Sequence, residues 1–387
     1  MWNIGIGRIA GVPIRLNVTL IAFIPLLAWL LSRPEQIALY AVPIEFATGR
    51  TIDVGALTDP TTALLAGTLC ALGLFVGVLL HELGHAIAAR RENVPISSIT
   101  LWIFGGMAHM EELPDTWDVE FRIAIAGPVV SVALGVALGI VGRILPDLGP
   151  VVLFVVGWLA VVNVVLAIFN MLPAFPMDGG RVLRALLARS RPYAEATRQA
   201  AFVGKAMAIV LGIVGFLAFN PILLLIALFV YVAAGSESRM TAIRELLRGV
   251  AVSDLMTSSP LTANPTDTAG ELGRRMFAER QRGYPVTDRH GAPLGFVTID
   301  TLGQVPSDER ETTRIDTVMA DIPTITPGDD AFDALTVMGR NGVDRLVVVE
   351  DGRVVGLVSR ADIARALEVI QGIGAARESA LPRDGYA

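Results

Sequence analysis

Cysteine is nearly absent from this chain: one residue, Cys70, in 387. A single thiol builds neither an intramolecular disulfide framework nor a cysteine-based metal cluster, so any bound metal must be held by histidines and carboxylates. Histidine is scarce too, with only His81, His85, His109 and His290, which makes their spacing informative. Charge is thin. Asp, Glu, Lys and Arg make up 18% of the chain, against roughly 25% in soluble domains, while hydrophobic residues reach 53% and the mean hydropathy is +0.59. That balance speaks against an ordinary water-soluble enzyme. The charges are also unevenly spread: residues 1–249 hold 17 Lys and Arg and 16 Asp and Glu, a net +1, whereas residues 250–387 hold 14 and 21, a net −7. No basic patch of the kind that binds nucleic acid results. The chain reads as an apolar, near-neutral membrane portion joined to an acidic, soluble one.

Apolar sequence is what the chain has in abundance. Charge-free runs cover residues 16–32, 60–80, 123–142, 148–177 and 206–236, and a membrane-spanning helix needs about 20 such residues. Asn220-Pro221 breaks the last run into two helices, which predicts six spans. Pro173 and Pro176 end the fourth helix inside its apolar stretch and leave irregular backbone at membrane depth. The first run follows Arg8 and Arg15 but lacks a small-x-small cleavage site, so it reads as a retained helix rather than a signal peptide. Most Lys and Arg fall on one face of this layout, among them Arg90, Arg91, Arg122, Arg181, Arg184, Arg189, Lys205, Arg239 and Arg248, with only Arg33, Arg50 and Arg143 opposite. The positive-inside rule then places both termini and the tail in the cytoplasm.

The second run leads directly into His81-Glu82-Leu83-Gly84-His85. On a helix, His81 and His85 are one turn apart on a shared face, so both imidazoles reach one zinc, with Glu82 beside them as general base for a water. Three such groups at membrane depth are costly unless they act. A hydrolytic zinc site takes three protein ligands and leaves a position open, and Asp178 in Phe169–Arg181 is the best third donor. The neighbouring prolines free the backbone from helical pairing, and Gly179 and Gly180 permit tight turns. Asp178 also suits the N-cap of a helix starting near Gly180; the two roles are compatible.

The HELGH motif in an apolar helix, Ala126-Gly127-Pro128 in the third span, and the Asn170–Gly180 segment with Asp178-Gly179 together resemble the site-2 protease family of intramembrane zinc metalloproteases. Six spans followed by a cytoplasmic tail are similar to its prokaryotic branch with paired CBS domains. The resemblance implies a polytopic α-helical membrane domain followed by a soluble α/β tandem CBS domain in the inner membrane of a prokaryote. It implies one Zn2+ held by His81, His85 and Asp178, Glu82 as general base, and Asn170 near the active site holding substrate or the tetrahedral oxyanion. The implied partners are a transmembrane protein substrate and the lipid bilayer. Met171 stands where the family's second motif often has proline.

Two further readings attach to the membrane half. Residues 98–110, with Gly105-Gly106, read as a re-entrant hairpin beside the active site whose edge takes unwound substrate as an added strand; an amphipathic linker is the alternative, and His109 in it reads as a loop histidine. Gly73, Gly77 and Gly84 line one face of the second span and permit close helix packing.

From Val252 the sequence repeats at a period near 60 residues: Met256 corresponds to Met319 and Gly295 to Gly356. Each unit is a strand, a helix, two strands and a closing helix, too small to stand alone. The pattern is similar to a CBS pair, which implies an adenine nucleotide (ATP, ADP or AMP) in its clefts and homodimerisation through the pair. By that resemblance Ser359 and Asp362 would contact phosphate and ribose; Thr298 matches in the first repeat, but Thr301 occupies the place of the acid. The expected organisation is a membrane metalloprotease domain at 1–249, CBS repeats at 250–308 and 309–370, and a flexible tail at 371–387. A CBS-regulated transporter or channel is the competing class, and the joint presence of HELGH and the Asp178 segment favours the hydrolase.

Overall fold

The computed structural model describes residues 3–9, 11–103, 105–110, 116–145 and 148–380, with the side chains of 107–110 and 373–380 excepted. The chain forms two units, Met1–Arg239 and Met240–Ala387.

The first unit opens with a hairpin, β1 (Asn3–Ile9) and β2 (Val12–Asn17). Asn17 ends the strand and starts a helix: its side chain accepts the Thr19 N–H at 3.0 Å, which caps α1 (Val18–Leu31). At 14 residues α1 is about 21 Å long, short of the ~30 Å hydrocarbon core. Pro34 at the first position of α2 (Pro34–Thr48) starts a new helix bent 79° from it. The first apolar run is thus one arm of a bent pair and not the single spanning helix expected from its composition.

Asp59 accepts the N–H groups of Thr61 and Thr62 and caps α3 (Pro60–Arg91), which carries the HELGH motif near its C-terminal end. There follow β3 (Ile96–Trp102), β4 (Gly105–Met110), α4 (Trp117–Ile144), α5 (Pro150–Asn170), the short α6 (Asp178–Ala188), α7 (Tyr193–Leu217) and α8 (Pro221–Leu247), whose residues from Met240 onward fall in the second unit. Among the described residues, α3, α4, α5, α7 and α8 are long and apolar enough to cross a membrane, and the bent pair raises the number to six if it counts as one. Their outer faces are apolar. Phe202 and Phe216 of α7 are 73% and 69% exposed, a surface that water penalises and lipid covers. The inner faces bury small residues against aromatic ones, with Ala66, Cys70 and Ala71 of α3 packed near Phe154 and Trp158 of α5. A Cβ on Gly73 or Gly77 would strike α5, as the small-residue face of α3 leads one to expect.

The four strands form one sheet in the order β1-β2-β3-β4, with β2 and β3 parallel and Ile14 opposite Ile99. Val12, Ile14, Ile99 and Leu101 pack with Phe75, Val78, Leu83 and Ala86 of α3, which lays the sheet along the HELGH segment. The described residues of 98–110 therefore pair as two strands of a hairpin, not as a surface linker, and among the described residues β4 is an edge of the sheet. His109 sits in β4 opposite Ser98, not in a loop; its side chain lies outside the described residues.

The second unit consists of α9 (Val252–Leu255), β5 (Thr257–Ser258), α10 (Ala269–Ala278), β6 (Gly283–Thr287), β7 (Pro293–Thr298), α11 (Ile299–Gly303), β8 (Thr324–Ile325), α12 (Ala331–Asn341), β9 (Arg345–Glu350), β10 (Arg353–Ser359) and α13 (Arg360–Ala380). It has two cores, one around Leu272, Tyr284, Val297 and Ile315, the other around Ala334, Met338, Leu346 and Val358. The repeats are crossed. Met256, at the start of the first repeat, has its sulfur against Gly356 of the second, and Met319 of the second lies against Gly295 of the first. Backbone pairing follows the same exchange: β5 pairs with β10, and Ala320 exchanges hydrogen bonds with Phe296. At the C-terminal end α13 continues to Ala380, past the point where Gly/Arg/Ala-rich composition predicts fraying, because Ala, Arg and Glu are strong helix formers. Residues 381–387 of the expected flexible tail lie outside the described residues.

Candidate metal centre

Helical spacing stacks His81 above His85 on the face of α3 turned toward α4, and both are 4% exposed. Their outer nitrogens are held by α4. The Nδ1 of His85 is 2.7 Å from the Ile123 carbonyl oxygen, and the Nδ1 of His81 is 2.9 Å from the Ser131 hydroxyl. A carbonyl only accepts, so His85 donates from Nδ1, which leaves the lone pair of its Nε2 free. The inner nitrogens point at each other, Nε2 to Nε2 at 3.2 Å.

Asp178 reaches the same point from α6. The chain leaves α5 at Asn170, turns through the two prolines and re-enters a helix at Asp178, which is the first residue of α6 and not its N-cap, the place Met177 takes, because its carboxylate is turned to the imidazoles; the carboxylate still sits favourably at a helix N-terminus. Its Oδ2 lies 3.0 Å from His81 Nε2 and 3.2 Å from His85 Nε2. Three donor atoms thus form a triangle with edges of 3.0, 3.2 and 3.2 Å. Ligands about 2.0–2.1 Å from a tetrahedral zinc stand about 3.3 Å apart. Two nitrogens and one oxygen at this separation fit that ion, and a tetrahedral site with three protein donors keeps one position open.

Two glycines shape the surroundings. A Cβ on Gly127 of α4 would fall 2.2 Å from His85 Nε2 and 2.7 Å from His81 Nε2, so only glycine leaves room beside the ligand nitrogens. A Cβ on Gly106 would fall 2.3 Å from Glu82 Cγ, which puts the β4 backbone directly against the half-buried Glu82. The far end of α3 is tied to α4 as well: Arg122 donates to both oxygens of Glu92, at 2.7 and 3.0 Å. That pairing holds the Glu92 carboxyl below the usual carboxylate range.

The profile of Peptidase family M50 matches residues 69–150 and 145–212, and that of the CBS domain matches 252–302 and 315–369. A zinc metalloprotease of Methanocaldococcus jannaschii is 31% identical over 370 residues, 96% of this chain and 97% of its own. The chain belongs to peptidase family M50, the site-2 proteases. Rip3 of Mycobacterium tuberculosis is 32% identical over 95% of this chain and 93% of its own. Among solved structures, the site-2 protease from M. jannaschii aligns with 34% identity over 62% of this chain and 96% of its own, at a TM-score of 0.41. The protein is accordingly a zinc metalloprotease with a multi-pass membrane portion and a CBS pair, and the transporter reading gives way.

Of the residues that the sequence singles out in this site-2 protease, His81, His85 and Asp178 come together, and Glu82 stands beside them under β4. Asn170 ends α5, half-buried; among the described residues no hydrogen bond joins it to the other four. Thr298 caps α11 by accepting the Thr301 N–H at 3.1 Å. Ser359 donates to Asp362 from its hydroxyl at 2.6 Å and from its backbone at 2.9 Å, at the start of α13. Each of these has a local capping role inside its own repeat.

Sequence reading missed Ser131. A lone serine in an apolar helix commonly bonds back to its own backbone, but Ser131 lies one turn from Gly127 on the same face of α4, and that spacing was available as a signal. Metal-ligand histidines depend on such partners. Ser131→Ala is expected to weaken zinc binding by about 10- to 100-fold, read by competition with a chromogenic chelator; unchanged affinity would remove the hydroxyl from the site.

Proposed function

We propose that this protein is an endopeptidase that cuts peptide bonds in or beside the membrane spans of other proteins, with His81, His85 and Asp178 as zinc ligands and Glu82 as general base. The observation that carries the reading is the 3.0–3.2 Å donor triangle, set on helices apolar enough to cross a bilayer. Zinc, when bound, supplies Lewis acidity toward a water and a carbonyl oxygen. Glu82 takes the proton of the attacking water and delivers it to the departing amine nitrogen. The backbone of β4 against Glu82 favours a substrate that arrives extended. A helical peptide bond has its carbonyl shielded by its own hydrogen bonds, so the substrate unwinds and adds by backbone pairing to β4, which among the described residues is an edge of its sheet. Asn170 is assigned to hold the substrate or the developing oxyanion. Both termini lie on the cytoplasmic side of a prokaryotic inner membrane.

The test is cleavage of a single-span protein with a Gly-Pro interruption in its span, co-reconstituted with the purified full chain in liposomes. Cutting inside or next to the span, stopped by 1,10-phenanthroline and restored by Zn2+, is the expected result. Cutting confined to a distant soluble loop, or persisting in chelator, would sink it.

The CBS pair is assigned an adenine nucleotide through Ser359 and Asp362, with Thr298 as the weaker counterpart, and a role in homodimerisation. Asp362 lies on an open groove with Val250, Asp254, Leu255 and Arg365. Differential affinity for two arrangements of the repeats would then regulate cleavage. Titration calorimetry of the full chain with ATP, ADP and AMP reads this directly; the absence of heat with all of them leaves the pair a structural module.

A further inference from the structure

Arg184 counts in the sequence as one of many basic residues on the cytoplasmic face, yet it is 2% exposed. It lies on α6, six residues after Asp178, so about 9 Å farther along the same three-turn helix. Its Nε donates to Glu120 Oε1 of α4 at 2.8 Å, and its Nη2 donates to the same oxygen at 2.5 Å. Its Nη1 donates to Glu237 Oε1 of α8, also at 2.5 Å. The guanidinium is also flanked by two rings, Phe175 with its centroid at 5.0 Å and Tyr193 at 4.9 Å. Phe175 belongs to the turn that delivers Asp178, and Tyr193 begins the helix that follows α6. One buried cation therefore grips α4, α8 and the chain on both sides of α6.

A buried guanidinium with a buried carboxylate is a poor source of stability compared with apolar packing. It is a good source of register, because planar donors and stacked rings accept one geometry and not its neighbours. The cluster is also incompletely satisfied: Glu120 Oε2 and Tyr193 Oη are buried with no hydrogen-bond partner among the described residues, a condition that packing for stability alone does not select. Short α6 is thus fixed at two places, at Asp178 against the imidazoles of α3 and at Arg184 against Glu120 of α4. We infer that Arg184 is a positioning residue that sets where the Asp178 carboxylate meets the two imidazoles, and that Glu237, the one carboxylate of the cluster with a partly exposed side chain, sets how firmly α6 is held. The inference rests on Asp178 being a zinc ligand and extends that assignment to the last membrane helix.

The experiment uses the full chain in detergent with Co2+ in place of Zn2+. Arg184→Lys keeps the charge but loses the planar fork and the two-ring stacking. It is expected to shift the visible d–d bands of Co2+, to speed stripping by a chelator at least about 10-fold, and to lower kcat with KM unchanged. Glu237→Gln is expected to move the same observables in the same direction by a smaller amount, and it decides alone if Arg184→Lys fails to fold. Wild-type spectra and stripping rates in both variants overturn the inference, even where thermal stability falls. Asp178→Ala separates the two levels. An unaltered spectrum there removes the ligand assignment, whereas an altered one beside silent Arg184→Lys and Glu237→Gln variants removes only the positioning role.

Discussion

Glu82→Gln is expected to keep its zinc and to lose cleavage by about 10³-fold in kcat, within the 10²–10⁴ range that general acid–base groups contribute. Gln has the size of Glu, so the contact with β4 at Gly106 survives and substrate docking along the edge is preserved. It has no carboxylate to take a proton. The three donor atoms that converge in the triangle belong to other residues, so metal content stays at the wild-type value. Zinc analysis of the purified variant, beside turnover of a reconstituted single-span substrate, reads both halves. Full turnover with full metal would reject the general-base role, and loss of metal would mean that Glu82 holds the ion rather than the proton.

Gly127→Ala carries an effect of comparable size by a different route. The added methyl would lie 2.2 Å from one ligand nitrogen and 2.7 Å from the other, closer than non-bonded atoms approach and in competition with a zinc that needs those same nitrogens at about 2 Å. Moving either the imidazoles or helices α3 and α4 apart to admit it would break contacts between them. The Ile123 and Ser131 bonds to the same two imidazoles and the Arg122–Glu92 pair hold them together. Zinc content and cleavage are both expected to fall to background while helical content by circular dichroism is unaltered. Wild-type zinc in Gly127→Ala would show that the ion sits elsewhere.

The HELGH helix is legible because its signal is local: two histidines four apart in an apolar run fix their own mutual geometry once the helix forms. Asp178 is legible for a related reason, since prolines and glycines mark the one place where the backbone turns a carboxylate inward. What escaped is mostly non-local. The strands β1 and β2 are short and precede an apolar run, so they read only as its flank, and their place in the sheet depends on Ile14 meeting Ile99 across 85 positions. Helix α2 carries Glu35 and Glu45, so it does not stand out as a charge-free run, and residues 16–32 read alone as the first span. In the sequence Arg184 shows only its charge, because nothing next to it announces that Glu120 and Glu237 wait on two other helices. The CBS repeat is visible in its period, but a period does not say which half pairs with which.

Because the opening segment of each repeat finishes the sheet of the other, with Met256 on Gly356 and Met319 on Gly295, neither half closes its own edge. A gene encoding one half alone would specify a polypeptide that becomes whole only by meeting a twin. Tandem fusion makes that partnership permanent and concentration-independent.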